Sequence, residues 1–177
     1  GRPVFGVEVQ CVDDMHEPQA PGTVGRIRYR GPAVADGFWN DPEASRESFR
    51  DGWWYPGDLG MLDEHGYLYL KGRAKDMIIR GGVNIYPGEV EAALQSHPAV
   101  ADCAVVGWPS REFNEEVAAF VILKGAAPDG NLAAELRELC RGRMASYKVP
   151  REVFVVKEFP RNALGKVIKA DLSSKLS

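Results

Sequence analysis

The chain changes texture near Asp76, and that change constrains the fold more than any other feature. Before it, short apolar runs alternate with polar residues and are cut by turn signals. Val7 and Val9 alternate with Glu8 and Gln10, and Gly25 to Arg30 alternates through Ile27 and Tyr29. Period-two alternation marks half-buried strands. A polar loop from Asp13 to Gly22 joins the two, and Asp51-Gly52 turns the chain again. Asn40-Asp41-Pro42 signals a turn, from which Pro42-Glu43 opens a short helix through Phe49. Asp63-Glu64-His65-Gly66, set between Met61-Leu62 and Tyr67 to Leu70, predicts a hairpin with Gly66 in the left-handed region.

After Asp76, strand and helix patterns interleave. Met77-Ile78-Ile79 is a short strand, Arg80-Gly81-Gly82 a turn, and Val83 to Tyr86 the return. Pro87 suits the first position of a helix, with Glu89 and Glu91 at its positive end. Val90, Ala93 and Leu94 give that helix an apolar face. Val100 to Val106, Val117 to Leu123 and Val153 to Val156 read as strands. Leu132, Leu136, Leu139 and Cys140 share one helical face, and Ile168, Leu172 and Leu176 suit a final short helix. Interleaving of this kind predicts an α+β fold. The expected division is a β-rich part over residues 1–72, a junction at 73–76 and an α+β domain over 77–177.

Composition removes several functions. Among 177 residues the formal net charge is −3, which argues against nucleic-acid binding through bulk positive charge. Hydrophobic residues make up 45% and charged residues 27%, which excludes disorder and fits an ordinary globular chain. No apolar run approaches the ~20 residues of a membrane helix. Cys11, Cys103 and Cys140 form no C-x-x-C and no even framework, as expected in a reducing cytoplasm. His16, His65 and His97 stand apart from one another, with no metal-ligand spacing, so no protein-held metal is expected. The opening Gly1, with apolar Val4 and Phe5 close behind, reads as a chain cut inside a fold. Ser174-Lys175-Leu176 is like a peroxisomal address, but Ser177 follows it, so it reads as the frayed end of a helix.

Certain segments carry the chemistry: GFWNDPEASRESFRDGWWYPGDLG, GYLYLKGRAKDMIIRGGVNIYPGEVE, SYKVPREV and FPRNALGKVIKADL. In this order and spacing they resemble the C-terminal portion of the adenylate-forming (AMP-binding) superfamily, of the acyl-CoA synthetase type. The resemblance implies a small β-rich subdomain, part of a distorted β-barrel, followed by a mobile α+β lid. It also implies a two-step reaction. A carboxylate attacks the α-phosphate of ATP to give an acyl-adenylate and pyrophosphate, and the thiol of CoA then takes the acyl group. The first step brings anion against anion, so positioned positive charge is the protein's main contribution.

By the resemblance, Lys166 in Pro160-Arg161-Asn162-Ala163-Leu164-Gly165-Lys166 is the catalytic lysine, bridging carboxylate and α-phosphate. Asp58 in Tyr55-Pro56-Gly57-Asp58 is the acceptor for the ribose hydroxyls of ATP. The family usually has Thr where Pro56 stands, so a hydroxyl and a backbone donor are missing there. Arg73 reaches the ribose and phosphate region, and Lys75 occupies the hinge. Gly81 and Gly82 would let the pantetheine arm pass, Phe113 and Tyr147 would stack on the CoA adenine, and Lys148 and Arg151 would meet its phosphates. Phe113-Asn114-Glu115 stands where the family often has Trp-Gly-Glu; Asn tolerates the left-handed turn.

The family's phosphate loop, acid pocket and adenine motif lie before the position of Gly1. The expectation is therefore a C-terminal fragment, inactive alone, of an ATP-dependent acid–CoA ligase acting on a fatty or aryl acid. ATP, Mg²⁺ and CoA would serve the parent enzyme, and an N-terminal AMP-binding domain would be the partner. The alternatives are an adenylation enzyme loading a carrier-protein phosphopantetheine and a non-catalytic docking or lid module.

Overall fold

The computed structural model describes residues 1–126 and 130–176. Ser177, which follows the final turn, lies outside the described residues. The chain divides into two units, Gly1–Lys75 and Asp76–Ser177.

The first unit is an antiparallel sheet of short strands: β1 (Glu8–Val12), β2 (Gly25–Arg30), β3 (Phe49–Arg50), β4 (Trp53–Trp54), β5 (Asp58–Leu62) and β6 (Leu68–Arg73). β2 is its centre. One edge pairs with all of β1; the other takes β5 at Gly25↔Gly60 and β4 at Tyr29↔Trp54. Gly25 is required there, because a Cβ would sit 2.5 Å from the carbonyl oxygen of Val12. Positive φ at Asp51 (52°) and Gly52 (75°) gives the β3–β4 turn the twist a tight hairpin needs. In the β5–β6 hairpin, Asp63 Oδ1 accepts the N–H groups of His65 (2.9 Å) and Tyr67 (2.8 Å), and Gly66 has φ 76°. Helix α1 (Pro42–Ser48) starts where Asp41 Oδ1 caps the N–H of Ala44 at 3.0 Å. Among the described residues this sheet stays open and closes no barrel. Its buried apolar set is small: Cys11, Val12, Ile27, Trp53 and Leu59.

The second unit holds β7 (Ile78–Arg80), β8 (Val83–Ile85), α2 (Pro87–Gln95), β9 (Val100–Ser110), β10 (Asn114–Leu123), α3 (Leu132–Arg141), β11 (Glu152–Val155) and α4 (Lys169–Ser173). β10 is the spine. It runs antiparallel to β9 over its whole length, parallel to β11 from Ala118↔Glu152 to Val121↔Val155, and meets β7 at Asn114↔Arg80. Alternate residues feed two cores. Val105, Val117, Ala119 and Val121 pack with Val90 and Leu94 of α2 and Leu132, Leu136 and Cys140 of α3. Ala104, Val106, Ala118 and Phe120 pack with Phe159 and Leu172 of α4. Burial on both faces explains why Val117 to Leu123 of β10 reads as an unbroken apolar run. β9 extends beyond the expected Val106 through Trp108 and Pro109, because β10 pairs with it there despite Gly107 and Pro109. Together the two units bear out the α+β expectation.

Candidate functional site

In the first unit, the pairing of β5 with β6 places Asp58 opposite Arg73. Arg73 Nε lies 3.0 Å from Asp58 Oδ1, and Arg73 Nη2 donates to the Pro56 carbonyl at 2.7 Å. The two expected ribose contacts are thus one ion pair. Pro56 gives no N–H, yet its carbonyl helps to hold Arg73. Gly57, at φ 83°, turns the chain into Asp58, and its carbonyl accepts the N–H of Ala74 at 2.9 Å. Lys75 follows in a short 3₁₀ turn, Ala74–Asp76, and is exposed at the junction of the units.

Lys166 closes a compact loop in the second unit. Asn162 Oδ1 accepts the N–H groups of Leu164 (3.0 Å) and Lys166 (2.9 Å), while Asn162 N–H donates to the Lys166 carbonyl at 2.9 Å. Gly165 takes φ 78°, a conformation that costs a side-chain-bearing residue more. Both backbone groups of Lys166 are therefore bound, and among the described residues its exposed ammonium has no partner. The Asn-x-x-Gly-Lys pattern is the readable signal for Asn162, since Asn side chains fold back on following N–H groups.

The Gly81-Gly82 turn connects β7 and β8 with φ 56° and 82°. Gly81 N–H donates to the Phe113 carbonyl at 2.8 Å, and the Arg80 guanidinium lies 4.3 Å from the Phe113 ring centre. Arg80 is fixed by Glu116, 7% exposed, through Nε at 2.6 Å and Nη2 at 3.3 Å. Arg151 approaches the same carboxylate at 3.6 Å. Glu115 accepts the N–H of Ile79 at 2.6 Å and packs where any Cβ on Gly107 would lie 2.3 Å from its oxygen. Asn114 adopts φ 68°, keeping the left-handed turn. Phe113, Gly81, Gly82 and Arg151 thus belong to one network organised by Arg80 and Glu116, whose pairing sequence reasoning missed.

Tyr147 and Lys148 lie in the turn Ser146–Lys148. The Lys148 ammonium spans both oxygens of Glu89 on α2, at 2.9 and 2.7 Å, so it enters this structure already paired. Among the described residues, no group of three or more His, Cys, Asp or Glu is placed to hold a metal.

An open antiparallel sheet, a second sheet covered by helices on both faces and a lysine loop near the end of the second unit define the class: the C-terminal portion of an adenylate-forming enzyme. Residues 89–166 match the model of the AMP-binding enzyme C-terminal domain family. It is 45% identical over 173 residues to 2-succinylbenzoate–CoA ligase of Geobacillus kaustophilus, covering 97% of this chain and 34% of that protein. It is 46% identical over 161 residues to indoleacetate–CoA ligase of Aromatoleum aromaticum, covering 90% of this chain and 31% of that one. The solved o-succinylbenzoate CoA synthetase of Bacillus subtilis, in complex with an acyl-adenylate intermediate, superposes with a TM-score of 0.90 at 38% identity over 97% of this chain and 34% of that chain. The chain therefore spans about a third of the length of the relatives it matches.

Proposed function

We propose that this chain is the C-terminal portion of an ATP-dependent acid–CoA ligase. The observation that carries the reading is the Lys166 loop, which binds its own backbone and leaves the ammonium exposed. In the first half-reaction the substrate carboxylate oxygen bonds to the α-phosphorus of ATP and pyrophosphate leaves. Lys166 lies between the two anions and offsets the charge that concentrates as they meet. Asp58 accepts from the ribose hydroxyls, and Arg73, held by Asp58 and the Pro56 carbonyl, directs its remaining donors at nucleotide oxygens. Mg²⁺ travels with ATP on its phosphates. In the second half-reaction the CoA thiol attacks the acyl carbonyl and AMP leaves. Gly81 and Gly82 line the pantetheine path, Phe113 and Tyr147 meet the adenine, and Arg151 and Lys148 meet phosphate; Lys148 must first exchange its Glu89 partner.

CoA is preferred over a carrier-protein phosphopantetheine as acceptor because the relatives are CoA ligases. The exposed Val4, Phe5, Met15, Trp39 and Leu70 support residues 1–72 as a subdomain that packs on an N-terminal AMP-binding domain. Three free cysteines fit the cytoplasm.

The test is Lys166→Ala in the full-length protein that carries this segment. Acid-dependent exchange of pyrophosphate into ATP should fall on the order of 10²- to 10³-fold, the scale of losing one charge-stabilising group. Thioester formation from pre-made acyl-adenylate should persist, and the chain alone should release no pyrophosphate. Unchanged exchange would refute the reading.

A further inference from the structure

The Lys166 loop binds itself, and an arginine ties it to the sheet. Arg161 Nη1 donates to the carbonyl of Gly165, the residue before Lys166, at 2.8 Å, and Nη2 donates to Asp102 Oδ2 at 2.5 Å. Asp102 is itself fixed, because its Oδ1 accepts the N–H of Cys103 at 2.9 Å. It sits beside an irregularity in β9: Asp102 faces Ile122 and Val100 faces Leu123, which leaves Ala101 as the extra residue. Bulges of this kind re-aim side chains. Behind the clamp, the Arg161 guanidinium lies 5.8 Å from the ring of buried Phe159. One planar fork therefore spans loop and strand.

Side-chain exposures of 42% for Arg161 and 40% for Asp102 mean that the pair adds little to folding. Its geometric effect is large. The Gly165 carbonyl belongs to the peptide unit that delivers the Lys166 N–H, so fixing that carbonyl fixes the direction in which Lys166 leaves the loop. A lysine ammonium at position 161 has no planar fork with which to hold both acceptors in this geometry.

We propose that Arg161 and Asp102 are positioning residues for the adenylation half-reaction, acting through Lys166; this rests on the reading of Lys166 given above. The experiment uses the full-length protein with Arg161→Ala, Arg161→Lys and Asp102→Asn, each alone and combined with Lys166→Ala. Pyrophosphate exchange should drop on the order of 10²-fold in Arg161→Ala, the scale of a misplaced reacting group. Arg161→Lys should recover only part of that loss. Thioester formation from pre-made acyl-adenylate and the thermal midpoint should stay as in the wild type. In the Lys166→Ala background, Arg161→Ala should bring no further loss, because both changes act on one element. Equal losses in both half-reactions together with a lower thermal midpoint would make the clamp merely structural. So would losses that multiply with Lys166→Ala, and normal exchange in Arg161→Ala would dismiss the clamp altogether. If Lys166→Ala itself left exchange intact, the reading of the lysine would have failed before the clamp came into question.

Discussion

At the residue scale, charge pairing sets what each side chain is free to do. Asp58 and Arg73 already hold each other, so nucleotide hydroxyls would join an existing polar pair. Lys166 differs in having an ammonium without a partner among the described residues. Cys103 illustrates the opposite restraint. Burial, and then the carboxylates of Glu91 and Asp102, push its thiol up to about 12, and Sγ donates to the Glu91 carbonyl at 3.3 Å. The thiolate is the reactive form, so Cys103 should resist iodoacetamide at pH 8 in the native state and react on unfolding. Rapid native labelling at Cys103, mapped by mass spectrometry, would contradict this. Lys166, Asp58 and Arg73 stood out in the sequence as candidates because short motifs surround them. The Arg161–Asp102 pair was not, since its members lie 59 positions apart and neither charge names its partner. The Arg80–Glu116 pair, 36 positions apart, was hidden for the same reason.

At the scale of elements, turns were the most readable part of the chain. Asp51-Gly52, Asp63 to Gly66 and Gly81-Gly82 all turn where their residue types require, because positive φ and side-chain acceptors are local properties. Strand ends were less readable. β9 runs on through Gly107 and Pro109 because its pairing with β10 and the Glu115 carboxylate decide the matter, and neither is local. The Asp63 turn carries a pH dependence. The N–H of Tyr67, with further help from that of His65 and from the Tyr69 hydroxyl, holds the Asp63 carboxyl below the usual carboxylate range. A carboxyl depressed in the folded state contributes stability above its unfolded value, about 3.9, and loses that contribution as pH falls through the folded value. Asp63→Ala should therefore lower the urea midpoint at pH 7, and the gap from wild type should narrow toward pH 2. A gap constant down to pH 2 would show that the carboxylate's charge plays no part.

For the whole molecule, the contrast between the units matters. The first has a small core and many exposed apolar side chains; the second has cores on both faces of its sheet. Lys75 stands at their junction. If Lys75 is the hinge that the family resemblance implies, that junction changes backbone dihedrals between the two half-reactions. Lys75→Pro fixes φ at about −65°. Pyrophosphate exchange should then persist while thioester formation from acyl-adenylate falls, and equal rates in both assays would remove Lys75 from the hinge role.

The placement of β11 bears on how the protein is born. Its partner β10 is complete at Leu123, but the parallel neighbour of Ala118 to Val121 comes only with residues 152–155, after α3 has crossed over. During synthesis the strand with the longest buried run must wait with an unpaired flank, the condition under which nascent chains stick to one another. A ribosome that stalls between α3 and β11 would release a product with that flank bare, and the cell would meet it as a client for chaperones.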